Sequence, residues 1–113
     1  MTSDLERQLS ALTTTARDEI ELQDALQGAL PCFEREFDLS DAGRVDFFEV
    51  STGIAVEVKT KGSAYNVVRQ LQRYELDPRV ALVYLVTTVP AHVAAVRRLD
   101  SLSIRAVLIR RFP

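Results

Sequence analysis

Ile54-Ala55-Val56-Glu57-Val58-Lys59-Thr60 is the stretch that decides how this chain is read. Side chains alternate across a strand, so Ile54, Val56 and Val58 share one face while Glu57 and Lys59, two apart, share the other. The first face is branched aliphatic and belongs to a core. The second carries an acid and a base and reads as a working side. A lone Glu-x-Lys is common and ordinarily marks a solvated strand face, so its meaning rests on its surroundings.

Immediately upstream, Ser51-Thr52-Gly53 is a hairpin signal, and Val45 to Val50 alternate as the preceding strand. With Ser51 and Thr52 in the turn, Val50 pairs with Gly53 and Asp46 falls directly opposite Glu57. Directly opposed residues share a face with Cβ atoms ~5 Å apart. Two carboxylates that close repel each other unless a cation lies between them. Two oxygen ligands completed by water suit Mg²⁺. A slip of one residue would send Asp46 to the opposite face, so the register is an explicit test.

Working outward, Ser3-Asp4-Leu5-Glu6 reads as a capping box opening a helix to Leu12, broken by Thr13–Thr15. Thr15-Ala16-Arg17-Asp18 opens a second helix to Leu30, with Leu22, Leu26 and Leu30 as its apolar stripe and Pro31 as its stop. A strand follows over Glu34–Leu39, then a turn at Ser40–Gly43. After Lys61-Gly62-Ser63 a helix runs from Ala64 to Leu76, ended by Asp77-Pro78. Val80–Thr87 is nearly continuously apolar, a strand buried on both faces. Pro90 opens a helix to Leu102, and Ile104–Ile109 is the last strand. The expected fold is an α/β domain with a mixed sheet flanked by helices.

The 113 residues suit one domain with one core, and 47% hydrophobic with 27% charged content excludes disordered and fibrous classes. The single Cys32 excludes an internal disulfide framework and a four-Cys zinc site. No apolar run approaches the ~20 residues of a membrane span, and the polar, acidic start is not a signal peptide. The expectation is a cytoplasmic protein without membrane association. Net charge is −2, but Met1–Glu49 hold 12 acidic and 4 basic residues, whereas Val50–Pro113 hold 4 acidic and 10 basic. That asymmetry points to a polyanion-facing surface in the second half, or to two solvated faces of opposite sign.

Gly43-Arg44-Val45-Asp46-Phe47 followed by Val56-Glu57-Val58-Lys59, with a helical Glu upstream and Gln70-Leu71-Gln72-Arg73-Tyr74 downstream, resembles the PD-(D/E)XK nuclease superfamily. The last segment resembles the Q-x-x-x-Y motif of its exonuclease-like and phage-type members, and small junction resolvases are comparable in size. The resemblance covers Arg17 to Thr87. No Pro precedes Asp46, where the name-giving motif has one.

The resemblance implies a restriction-endonuclease-like α-β-β-β-α-β core. A helical extension (1–14) would precede the core (15–88), and a C-terminal helix and strand (89–113) would follow it. It implies a Mg²⁺- or Mn²⁺-dependent phosphodiesterase cutting nucleic acid, DNA favoured over RNA, with structure-selective or weak sequence selectivity. Asp46 and Glu57 would hold the metal with the Val58 backbone carbonyl, and Glu19 would reach it through water. Lys59 would orient the attacking water, and Gln70 would complete the catalytic set. Glu19 is preferred to Glu21 because it shares a helix stripe with Leu22 and Leu26. Lys61, Arg69, Arg73 and Tyr74 would contact nucleic acid, and a homodimer would place two cuts on two strands.

Without the resemblance, Asn66, Gln70, Arg73 and Tyr74 are an ordinary polar helix face opposite Val67, Val68 and Leu71. His92 is expected at the surface and Cys32 in the core. Phe47, Phe48, Tyr65 and Tyr84 read mostly as core, with base stacking an option for Tyr65. Two rival readings stay open: the same fold kept as a non-catalytic nucleic-acid- or protein-binding module, and an unrelated α/β interaction domain.

Overall fold

The computed structural model describes residues Thr2–Phe112, with side chains from Asp4 onward. Its elements are α1 (Thr2–Ser10), β1 (Thr13–Thr14), α2 (Glu19–Gln27), β2 (Glu34–Asp38), β3 (Arg44–Glu49), β4 (Ile54–Lys59), α3 (Ala64–Glu75), β5 (Leu82–Thr87), α4 (Pro90–Arg98), β6 (Ile104–Leu108) and β7 (Arg110–Arg111). A 3-10 turn over Ser40–Ala42 joins β2 to β3.

Strands β2 to β6 lie in chain order in one five-stranded sheet. Short turns make β2–β3 and β3–β4 antiparallel, while α3 and α4 are the crossovers that make β4–β5 and β5–β6 parallel. The fold is therefore α/β with a mixed sheet. Its radius of gyration, 12.8 Å, is that of a compact chain.

The sheet divides the core in two. On one face Leu22, Leu26 and Leu30, the stripe at four-residue spacing, pack with Leu9 against Phe47, Val56, Val58, Tyr84 and Val86. On the other, Val67, Leu71 and Tyr74 of α3 and Val96 of α4 pack against Phe48, Ala55, Val83 and Leu85. Every residue of β5 is buried, as its unbroken apolar run requires. Strand β4 is buried on both faces as well, apart from Lys59 at its end. The Glu57 face of β4 is thus not a solvated working side: α3 covers it, and the acid lies inside a core.

Local chemistry sets the boundaries. Asp18, not Thr15, caps α2 by accepting from the Glu21 amide, and Gly28 ends that helix before Pro31. Ser63 caps α3 through the Asn66 amide, and Pro90 occupies the first turn of α4. Helix α1 begins at Thr2 and ends at Ser10; the capping box expected at Ser3 involves a side chain outside the described residues. Gly53 closes the β3–β4 hairpin at φ 74°, where a Cβ would lie 2.6 Å from the Arg79 carbonyl oxygen. No other residue fits there without moving backbone.

Three local expectations are corrected. Cys32 is exposed. Thr13–Thr14 are not merely a break: they pair in parallel with Arg110–Arg111, so the two ends of the chain form a second, two-stranded sheet. His92 is only 1% exposed. Its Nε2 donates to the Gly62 carbonyl oxygen at 2.7 Å, and its Nδ1 lies 2.8 Å from Thr87 Oγ1. A carbonyl can only accept, so Nε2 carries a proton. His92 thereby ties α4 to the loop that follows β4.

Candidate functional site

The β3–β4 ladder pairs Glu49 with Ile54, Phe48 with Ala55 and Phe47 with Val56. One residue further the same register sets Asp46 opposite Glu57, as the turn arithmetic requires. There side chains bridge the strands. The Asp46 amide donates to Glu57 Oε1 at 3.3 Å, and the Val58 amide donates to Asp46 Oδ2 at 2.8 Å. The two acids share a face and do not lie on opposite sides of the sheet.

Burial dominates their electrostatics. Glu57 is 3% exposed, and its carboxyl is pushed up to about 8 by burial and then by repulsion from Asp46. The Lys59 ammonium, the Asp46 amide and the Tyr74 hydroxyl pull the other way without restoring it. Asp46 is raised to about 6, first by burial and then by Glu36 and Glu19, against the Val58 amide and Lys59. Between those two values the pair holds one proton.

The supporting groups come from three directions. Lys59 Nζ lies 3.5 Å from Glu57 Oε2 at the end of β4. From α3, Tyr74 is 1% exposed, with its hydroxyl 3.1 Å from Glu57 Oε1 and 2.9 Å from the Arg44 carbonyl oxygen. Gln70 Nε2 donates to that hydroxyl at 2.8 Å and so reaches Glu57 only through Tyr74. From α2, Glu19 Oε2 accepts from the Thr60 amide at 3.3 Å, just past β4. Glu21 turns back to accept from the Arg17 amide and guanidinium. The first turn of α2 therefore brings Glu19, not Glu21, to the end of β4, where its charge acts on Asp46.

Tyr74 belongs to the buried stripe with Val67 and Leu71, not to the polar face with Asn66. Being buried, it supports the acid pair and offers nucleic acid no surface. Lys61, in the loop before α3, and Arg69 and Arg73, on that helix, are exposed.

Sequence reasoning missed Glu36. It lies mid-strand in β2 at φ 56°, and its neighbours Arg35 and Phe37 pair with Phe47 and Val45 while Glu36 pairs with nothing. That position faces Asp46. A non-glycine residue in the left-handed region costs on the order of 1–3 kcal/mol, and such strain concentrates at functional sites. Nothing in the alternation of Glu34–Asp38 signals it.

The donor set consists of oxygens, which suits a hard cation such as Mg²⁺ and not a soft one. Among the described residues no group of three or more His, Cys, Asp and Glu is gathered for a metal. A cation here would rest on the Asp46–Glu57 pair and complete its shell with water, the manner Mg²⁺ favours. The repulsion between two buried acids is what such a cation would relieve.

No protein-family model, curated protein or solved structure matches the chain. Among the described residues no helix is long and apolar enough to cross a membrane.

Proposed function

We propose that this chain is a Mg²⁺- or Mn²⁺-dependent phosphodiesterase acting on nucleic acid, DNA in preference to RNA, on a restriction-endonuclease-like core. The observation that carries the reading is the buried Asp46–Glu57 pair with Lys59 Nζ 3.5 Å from Glu57 Oε2. The order of elements from α2 to β5, a helix, three antiparallel strands, a helix and a parallel strand, supports it.

Asp46, Glu57 and the Val58 carbonyl would hold the cation, with Glu19 reaching it through water. Once bound, that cation would polarise a phosphoryl oxygen and acidify a water molecule. Lys59 carries a charge that neutralises the negative charge growing on phosphate and donates to the attacking water. Tyr74 fixes Glu57 Oε1, and Gln70 fixes Tyr74. Lys61, Arg69 and Arg73 supply cations for backbone phosphates, which position a strand without reading its sequence.

The test is incubation of the protein with single-stranded, duplex, flapped and four-way-junction DNA, and with RNA, in Mg²⁺, Mn²⁺ or EDTA. Cleavage that requires metal is the expected result. Metal-independent binding without cleavage would favour a non-catalytic module instead.

A further inference from the structure

An open hollow lies along α3. Tyr65, Asn66, Arg69, Gln70 and Arg73 line an open cavity of about 420 Å³, and no acidic side chain is among them. Tyr65 is 68% exposed, at the start of the helix. Arg69 Nη1 donates to Tyr65 Oη at 2.8 Å, and the guanidinium carbon lies 5.6 Å from the ring centroid. Two flat π-surfaces are therefore held together before any ligand arrives.

Gln70 places this hollow relative to the chemistry. The same side chain that lines it donates to Tyr74 Oη, which lies 3.1 Å from Glu57 Oε1. Gln70 thus links the hollow to the acid pair through the Tyr74 hydroxyl.

A solvated helix face accounts for Arg69 and Arg73, but not for an aromatic ring left in water and fastened to an arginine. Phosphate binding needs only cations. A ring, a guanidinium plane and two side-chain amides add the requirements of a nucleobase: a surface to stack on and donors and acceptors for its edge. Inside a duplex the base faces are covered by their neighbours, so away from its ends such a surface takes an unpaired base.

We propose that Tyr65 and Arg69 form a stacking platform for one unpaired nucleotide. Asn66 and Gln70 meet the base edge, and Arg73 meets the adjoining phosphate. The inference rests on the proposed nuclease function and narrows its substrate to nucleic acid with a single-stranded segment: a free strand, a flap or an overhang.

Fluorescence anisotropy in EDTA, at one fixed low salt concentration, tests it with the full chain. The probes are a short labelled DNA strand and the blunt duplex of the same sequence. Wild type is expected to bind the single strand more tightly. Tyr65→Ala weakens that binding roughly 5- to 160-fold, while Tyr65→Phe, which keeps the ring, stays close to wild type. Duplex binding changes much less. Equal affinity of wild type and Tyr65→Ala for the single strand would overturn the platform. So would an equal loss on the duplex, or no single-strand binding at all. Because binding is read in EDTA and cleavage in a separate assay with metal, the two ideas fail separately. Tyr65-dependent binding by a protein that cuts nothing refutes the nuclease and keeps the platform; metal-dependent cutting indifferent to Tyr65→Ala does the reverse.

Discussion

Asp46 and Glu57 are bound to each other's strands rather than to each other. The Asp46 amide donates to the Glu57 carboxylate, and the Val58 amide beside Glu57 donates to the Asp46 carboxylate. The bonds fix where both acids point, side by side on neighbouring strands. Burying two acids side by side costs stability unless one is protonated or a cation joins them.

The metal-free protein is therefore expected to lose stability as pH rises. Asp46 and Glu57 hold their protons more tightly when folded than the ~4 of an unfolded carboxylate. The native state thus binds more protons, and stability falls with pH wherever it does. The loss begins near pH 4 and is complete once Glu57 has titrated, at about 8. Thermal melts in EDTA should show Glu57→Gln gaining on wild type across that window and melting higher at its upper end. Curves that stay parallel would contradict the account.

Divalent metal should reverse the penalty. A ligand that binds only the folded state stabilises it by about 2.7 kcal/mol at a hundredfold excess over its Kd. Mg²⁺ or Mn²⁺ should raise the melting temperature of wild type at neutral pH and release protons on binding, because the carboxylates must ionise to ligate. Asp46→Asn should lose both effects. A melting temperature indifferent to metal would count against a cation on this pair.

Tyr74→Phe removes one oxygen and leaves the Glu57 carboxylate, the Arg44 carbonyl and the Gln70 amide short of a partner. The expected cost is about 1–3 kcal/mol of stability. Metal affinity or cleavage rate should fall roughly 10- to 100-fold, the usual effect of losing a group that orients a ligand. Titration of the metal and a cleavage assay on the same variant separate the two. Wild-type behaviour in both would remove Tyr74 from the site.

Much of this was legible in the sequence. Period two in Ile54–Lys59, the nearly continuous apolar run of Leu82–Thr87 and the leucines at 22 and 26 each name their element, because one buried face imposes one period; Leu30 packs in the same core beyond the end of α2. The hairpin arithmetic set Asp46 against Glu57 because a two-period strand leaves only two faces to choose from. What escaped depends on partners distant in sequence. The pairing of β1 with β7 joins the two ends of the chain through two residues each, too few for any pattern. His92 looks like any lone histidine until α4 sets it between Thr87 and Gly62. The spacing of Tyr74 from Gln70 says that they are neighbours on a helix, not which of them faces the core. Glu36 is a backbone conformation, and a residue type that ordinarily avoids it gives no warning.

The most direct test of the central claim is the rate at which wild type and Lys59→Ala cleave a labelled DNA substrate in Mg²⁺, with EDTA as the blank. Lys59 lies 3.5 Å from Glu57 and keeps some contact with solvent, so its loss should leave the fold intact. The account predicts metal-dependent cleavage by wild type that falls roughly 10²- to 10³-fold in the variant, the scale of losing one group that stabilises developing charge. No cleavage by wild type in any metal, or equal rates for the two proteins, would contradict it.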